Sequence, residues 1–137
     1  MATQVIQFIP DDRPYEDIAP GKRPCKTSFL VFKNNKYSTI HVENIAFFYV
    51  RYESSLIVCF DGQEYLVNYS LDNIQTLLAD IQFFRLNRQY LINFQAIKDV
   101  EHYFARRLLV NPTITVSDKL LVPKEKASSF LFWLDNR

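Results

Sequence analysis

The sequence predicts a mainly β domain, on three observations. Tyr, Phe, Val and Ile are plentiful while glycine occurs only twice in 137 residues, a composition that leans toward strands. Asp61-Gly62 separates two β-rich runs, a strong local hairpin signal. Five strand-like runs crowd into about 43 residues after Thr27, each bounded by turn chemistry.

Taken in order, "SFLVFK" and "KYSTIHV" form a first hairpin around Asn34-Asn35, two residues that tolerate left-handed geometry. "IAFFYVRY" is a third strand, and "SLIVCF" and "QEYLVNY" flank the Asp-Gly turn. Leu71, Ile74, Leu77, Leu78 and Ile81 then fall at helical spacing, with Ser70 as N-cap and Asp72 in the first turn, so a helix should run to about Asp80. "FFRLNRQYLINFQAIKDVEHYFARRLLVNPTITVSDKLLV" returns to short strands, punctuated at Asn111-Pro112 and Ser117-Asp118. A closing helix follows Pro123, with Ala127, Phe130, Leu131 and Leu134 on one stripe; Phe132 falls off it and is expected to pack within the domain. Residues 1–26 hold four of the six prolines and read as a linker or N-terminal arm, leaving 27–137 as the folded domain.

A formal net charge of +1 rules out a global field that would drive the chain onto a polyanion, so nucleic-acid affinity would need a local patch. One is present: Arg85, Arg88, Lys98, Arg106 and Arg107 outnumber Asp99 and Glu101 between residues 85 and 107. The cysteines, Cys25 and Cys59, do not make a disulfide framework, and no signal peptide or membrane-length apolar run appears, which together point to a cytoplasmic protein.

Catalysis finds little support. His41 and His102 lie far apart with no cysteine or histidine at metal-ligand spacing, so neither a metal nor another cofactor is expected. Cys59 sits in "LIVCF", the opposite of the electropositive setting a nucleophilic thiol needs. Two glycines, Gly21 and Gly62, cannot build a phosphate-cradling loop. No catalytic residue is assigned.

The stretch "FFRLNRQYLINFQAI" over 83–97 is the exception, because it sets arginines and asparagines among core residues. Arg bonds guanine bidentately and Asn does the same for adenine. Apolar neighbours would fix the backbone so that the polar tips point outward. The competing reading is that Arg85 and Arg88 form ordinary salt bridges with Asp80 or Glu64. Chemistry alone leaves the two readings level.

The wording of this stretch resembles the signature of the LytTR family of bacterial DNA-binding domains: Phe-Phe-Arg, any one residue, then His or Asn, Arg, Ser or Gln, an aromatic, two aliphatics and Asn. Phe83 to Asn93 match every element, with Ile97 behind them. "VENIAFFYVRYESSLIVCFDGQEYLVNYSLDNIQTLL" and "LLVPKEKASSFLFWL" extend the similarity from about Ser28 to Leu134. The resemblance implies several antiparallel sheets stacked in an elongated domain with short helices. It implies a sequence-specific output domain of a two-component response regulator, with a receiver domain ahead of residue 1. It implies binding to direct repeats in promoter DNA, with loops in successive major grooves and oligomerisation on the DNA.

Carried over residue by residue, the contact set comprises three loops. The first holds Ser54 and Ser55, with Ser54 where family members can place a base-reading His. The second holds Asn87 and Arg88 as base readers, with Arg85 beside them as a phosphate contact or a structural residue. The third holds Lys124 and Lys126; the family usually has Ser-Arg where this chain has Pro123-Lys124. Arg106 and Arg107 are either phosphate contacts or a solvated turn. The departures at Ser54 and Lys124, with Glu53 beside them, define the alternative: a LytTR-like protein-interaction module with weakened or lost DNA binding.

Overall fold

The computed structural model describes residues 25–137; the expected N-terminal arm lies outside the described residues except for Cys25 and Lys26. Among the described residues, ten strands form three antiparallel sheets. β1 (Ser28–Lys33) and β2 (Lys36–His41) make a two-stranded sheet. β3 (Ile45–Arg51), β4 (Ser54–Cys59), β5 (Glu64–Val67), β6 (Phe83–Arg85) and β7 (Tyr90–Asn93) make a five-stranded sheet in the order β5-β4-β3-β7-β6. β8 (Ile97–His102), β9 (Leu108–Pro112) and β10 (Leu120–Val122) make a three-stranded sheet in the order β10-β9-β8.

The five-stranded sheet is the middle layer, which explains why β3 reads as an unbroken apolar run. One face packs Ile45, Phe48, Ile57, Cys59 and Leu91 against Phe29 and Val31 of β1 and against Leu71 and Ile74. The other packs Phe47, Tyr49, Val58, Tyr90 and Ile92 against Leu108, Val110, Leu120, Val122 and Phe130. A register shift between Ile45 and Phe47 lets Ala46 and Phe47, consecutive in sequence, both join the second core.

Helix α1 (Leu71–Leu77) starts as expected: Ser70 Oγ accepts from the Asn73 N–H at 3.1 Å. It stops earlier than the periodicity predicts. The Leu77 carbonyl accepts from the Lys26 N–H at 2.8 Å, the chain turns, and Ile81 is left exposed. Helix α2 (Lys124–Asp135) lies over β6, with Phe130 and Trp133 against Phe84 at ring separations of 5.1 and 5.2 Å. Trp133, whose indole N–H donates to the Asp80 carbonyl at 2.7 Å, takes the place on the apolar stripe expected for Leu131. Phe132 does not pack within the domain: it is exposed, because the helix turns it away from β6.

Cys59 is buried and free, and Cys25 is exposed and free. Burial first, then the Asp61 carboxylate, pushes the Cys59 thiol up to about 11, against an opposing pull from Lys33. The folded state therefore favours the neutral thiol, and this contribution is intact below about 9 and lost as pH climbs toward 11. A thiol reagent at pH 8 should label Cys25 promptly and Cys59 only after unfolding. Equal labelling rates in the native protein would contradict the packing of β4.

Candidate nucleic-acid interface

Strand register gathers the three sequence-predicted loops at one end of the molecule. β3 and β4 are joined by Tyr52-Glu53, with Arg51 paired to Ser54 at the base of the turn. β3 also pairs with β7, Tyr49 opposite Tyr90, and the Val50 N–H donates to the Gln89 carbonyl at 3.1 Å. The 86–89 turn between β6 and β7 therefore lies beside the β3–β4 turn. The Asn87 amide then donates to the Leu121 carbonyl of β10 at 2.7 Å, and Lys126 Nζ donates to the Arg85 carbonyl at 2.7 Å. These two bonds tie the start of α2 to the same end.

Within this cluster the candidate residues divide by what their side chains touch. Arg88 and Lys124 are exposed, and neither side chain has a hydrogen-bond or ion-pair partner among the described residues. Ser54 is exposed at the base of its turn. Ser55 is 6% exposed, paired with Val50 and Val67, so its hydroxyl cannot meet DNA. Strand alternation, which points successive residues to opposite faces, removes it from the contact set.

Asn87 Oδ1 accepts from the N–H groups of Gln89 and Tyr90 at 2.8 and 3.1 Å. With one amide hydrogen given to Leu121, a single N–H is left over. Bidentate adenine recognition needs both an acceptor and a donor, so Asn87 in this arrangement shapes the turn and can add only one donor.

Arg85 is a clamp. Its Nε donates to the Asn87 carbonyl at 2.7 Å and a terminal nitrogen to the Arg88 carbonyl at 2.9 Å. The other terminal nitrogen meets Asp72 at 2.8 Å and Gln75 at 3.1 Å on α1. The acidic partner is thus Asp72, not Asp80 or Glu64, and the guanidinium has no free edge for a phosphate. Lys126 is half-buried between Phe84 and the Arg85 carbonyl; burial and then the nearby Arg85 charge lower its ammonium pKa. It fastens α2 to β6.

Arg106 and Arg107 belong to the β8–β9 turn. The Tyr103 N–H donates to the Arg107 carbonyl at 2.9 Å, and Arg107 Nε donates to the Phe104 carbonyl at 3.1 Å. Arg107 is held over the Tyr103 ring, while Arg106 is exposed.

A cleft of about 340 Å³ opens between the five-stranded sheet and residues 114–118, lined by Tyr49, Tyr90, Arg51, Glu64 and Asp118 among others. These five polar groups are matched to one another. The Tyr90 hydroxyl donates to Asp118 at 2.8 Å, the Tyr49 hydroxyl donates to Glu64 at 3.3 Å, and Arg51 donates to the Tyr49 hydroxyl. Burial is the first cause that raises both tyrosine pKa values, so both stay protonated at neutral pH. No group of three or more metal-ligating side chains occurs among the described residues.

Sequence reasoning missed Asn93. It is fully buried, donates to the Ile45 carbonyl at 2.8 Å, and accepts from the Gln95 N–H at 2.9 Å and from the Gln82 amide. A polar residue closing the apolar run "YLIN" was the available signal.

The comparisons with known proteins bear on the family and the fold. A sequence profile of the LytTr DNA-binding domain matches residues 35–135. A solved structure, the LytTr DNA-binding domain of a proposed methyl-accepting/DNA response regulator from Bacillus cereus, superposes with a TM-score of 0.70 at 16% identity, over 80% of this chain and 97% of that one. No protein of curated function matches the chain. The profile spans most of the chain, and the three-sheet architecture is shared with that structure. The chain belongs to the LytTr DNA-binding domain family.

Proposed function

We propose that this domain binds double-stranded DNA with sequence specificity and serves as the output domain of a cytoplasmic, non-enzymatic transcriptional regulator. The observation that carries the reading is the convergence of the 52–54, 86–89 and 123–124 segments on one end, where Arg88 and Lys124 are exposed and uncommitted. Arg88 is the principal base reader, since a guanidinium fork free of internal bonds matches the major-groove edge of guanine. Lys124 reaches guanine or phosphate as a point charge, and Ser54 supplies a small polar contact beside it. Asn87, Arg85 and Lys126 hold these groups in place. A receiver domain ahead of residue 1, and copies assembling on direct repeats in promoter DNA, complete the proposal.

The test begins with selection of bound duplexes from a random pool. Arg88→Ala should then lose about 5- to 150-fold in affinity for the selected site, equivalent to ~1–3 kcal/mol, with little change on scrambled duplex. Failure of the wild type to enrich any sequence would refute the DNA reading and return the protein-interaction alternative. Unchanged discrimination in Arg88→Ala would refute the assignment of the reader.

A further inference from the structure

Among the described residues, three turns have two consecutive non-glycine residues at positive φ: Asn34-Asn35, Tyr52-Glu53 and Ala105-Arg106. The asparagines adopt this geometry readily; Tyr, Glu, Ala and Arg do so at roughly 1–2 kcal/mol each. The tolerant pair sits at the far end of the molecule, since Lys33 beside it donates to the Glu64 carbonyl, next to the Asp61-Gly62 turn. The Tyr52-Glu53 turn is at the reader end. So is Ala105-Arg106: in β10 Val122 pairs with Leu108, which places Pro123-Lys124 alongside the Phe104–Arg107 turn, and α2 packs against that turn.

Strain retained where an asparagine or glycine would relieve it calls for a use at that position. The tip carries two exposed side chains. Phe104 is 75% exposed, and Arg106 has no hydrogen-bond or ion-pair partner among the described residues. Arg107 and Tyr103 are spent on bracing the turn from behind. A single exposed Phe is unremarkable on a surface. A strained turn that presents a free cation and an aromatic beside Lys124 is the make-up of a backbone contact to nucleic acid.

We propose that the Phe104–Arg107 turn is a fourth DNA-contacting element, in which Arg106 holds a phosphate next to the groove reached by Lys124 and Phe104 packs on the adjoining deoxyribose. The contact fixes position and carries no sequence information. It rests on the DNA-binding reading above.

The test uses the full chain and the selected duplex, with binding measured across a salt series. Arg106→Gly removes the charge and suits the positive φ, so the turn should fold at least as well as in the wild type. The expected result is a loss of about 3- to 10-fold on selected and scrambled duplex alike, with the slope of log affinity against log salt shallower by about 0.9. Phe104→Ala should remove hydroxyl-radical protection of the flanking sugar without changing the selected sequence. An unchanged salt slope in Arg106→Gly, or a loss confined to the selected sequence, overturns the proposal. A wild type that binds no duplex fails the functional reading instead, which is a separate result.

Discussion

Asn93→Ala is expected to cost about 2–4 kcal/mol of folding stability without altering any exposed group at the reader end. The side chain joins three segments: the start of β3 through the Ile45 carbonyl, the following short helix through the Gln95 N–H, and the approach to β6 through Gln82. Alanine would leave the buried Ile45 carbonyl without its partner, at roughly 1–3 kcal/mol, and would remove the N-cap from the Gln95 N–H, at about 1 kcal/mol more. Asn93→Asp should be no better, because a carboxylate would face the Ile45 carbonyl where an amide N–H now donates. Urea unfolding at pH 7 gives the answer, and a loss below about 0.5 kcal/mol would show that the buried amide is dispensable.

The second large effect falls on Arg85. Alanine there removes every bond that holds the Asn87 and Arg88 carbonyls, so stability should fall by about 2–3 kcal/mol and DNA affinity should fall with it. Arg85→Lys should not restore either, since an ammonium cannot span two carbonyls and Asp72 at once. Asp72→Ala, by contrast, should cost less than about 1 kcal/mol, because that carboxylate is 87% exposed while the Arg85 side chain is 14% exposed. Arg88→Ala should leave the unfolding curve unchanged. If Arg85→Ala and Arg88→Ala behaved alike, weakening DNA binding with no change in stability, Arg85 would be a ligand contact and the clamp would be the wrong description.

Much of the fold was legible because its local signals agree with one another. Asn34-Asn35 and Asp61-Gly62 announce their hairpins, Ser70 announces α1, and the strand runs from Ser28 to Val67 appear where alternation and turn chemistry place them. The misses come from tertiary competition. Lys26 takes the Leu77 carbonyl and ends α1 before Ile81 can be buried. Trp133 outcompetes Leu131 for the groove beside Phe84 because its larger ring also reaches the Asp80 carbonyl. The candidate site was legible as a set of loops, while the internal contacts of its side chains were not. Sequence spacing cannot tell a cation aimed at solvent, like Arg88, from one folded back on its own turn, like Arg85. Nor can it tell that Ser54 and Ser55, adjacent in sequence, stand on opposite sides of a strand buried on both faces.

The pair of bonds from Asn87 to Leu121 and from Lys126 to Arg85 ties the five-stranded sheet to β10 and α2 at the rim of the core between them. On the proposed interface this makes the domain a gauge of fixed width, with Arg88 on one jaw and Lys124 on the other. DNA offers its base pairs in steps of roughly 3.4 Å, each rotated from the last. A gauge that cannot open leaves all adjustment to the duplex, through the stiffness of steps lying between the jaws. Bases that no side chain touches would then decide how well a site fits.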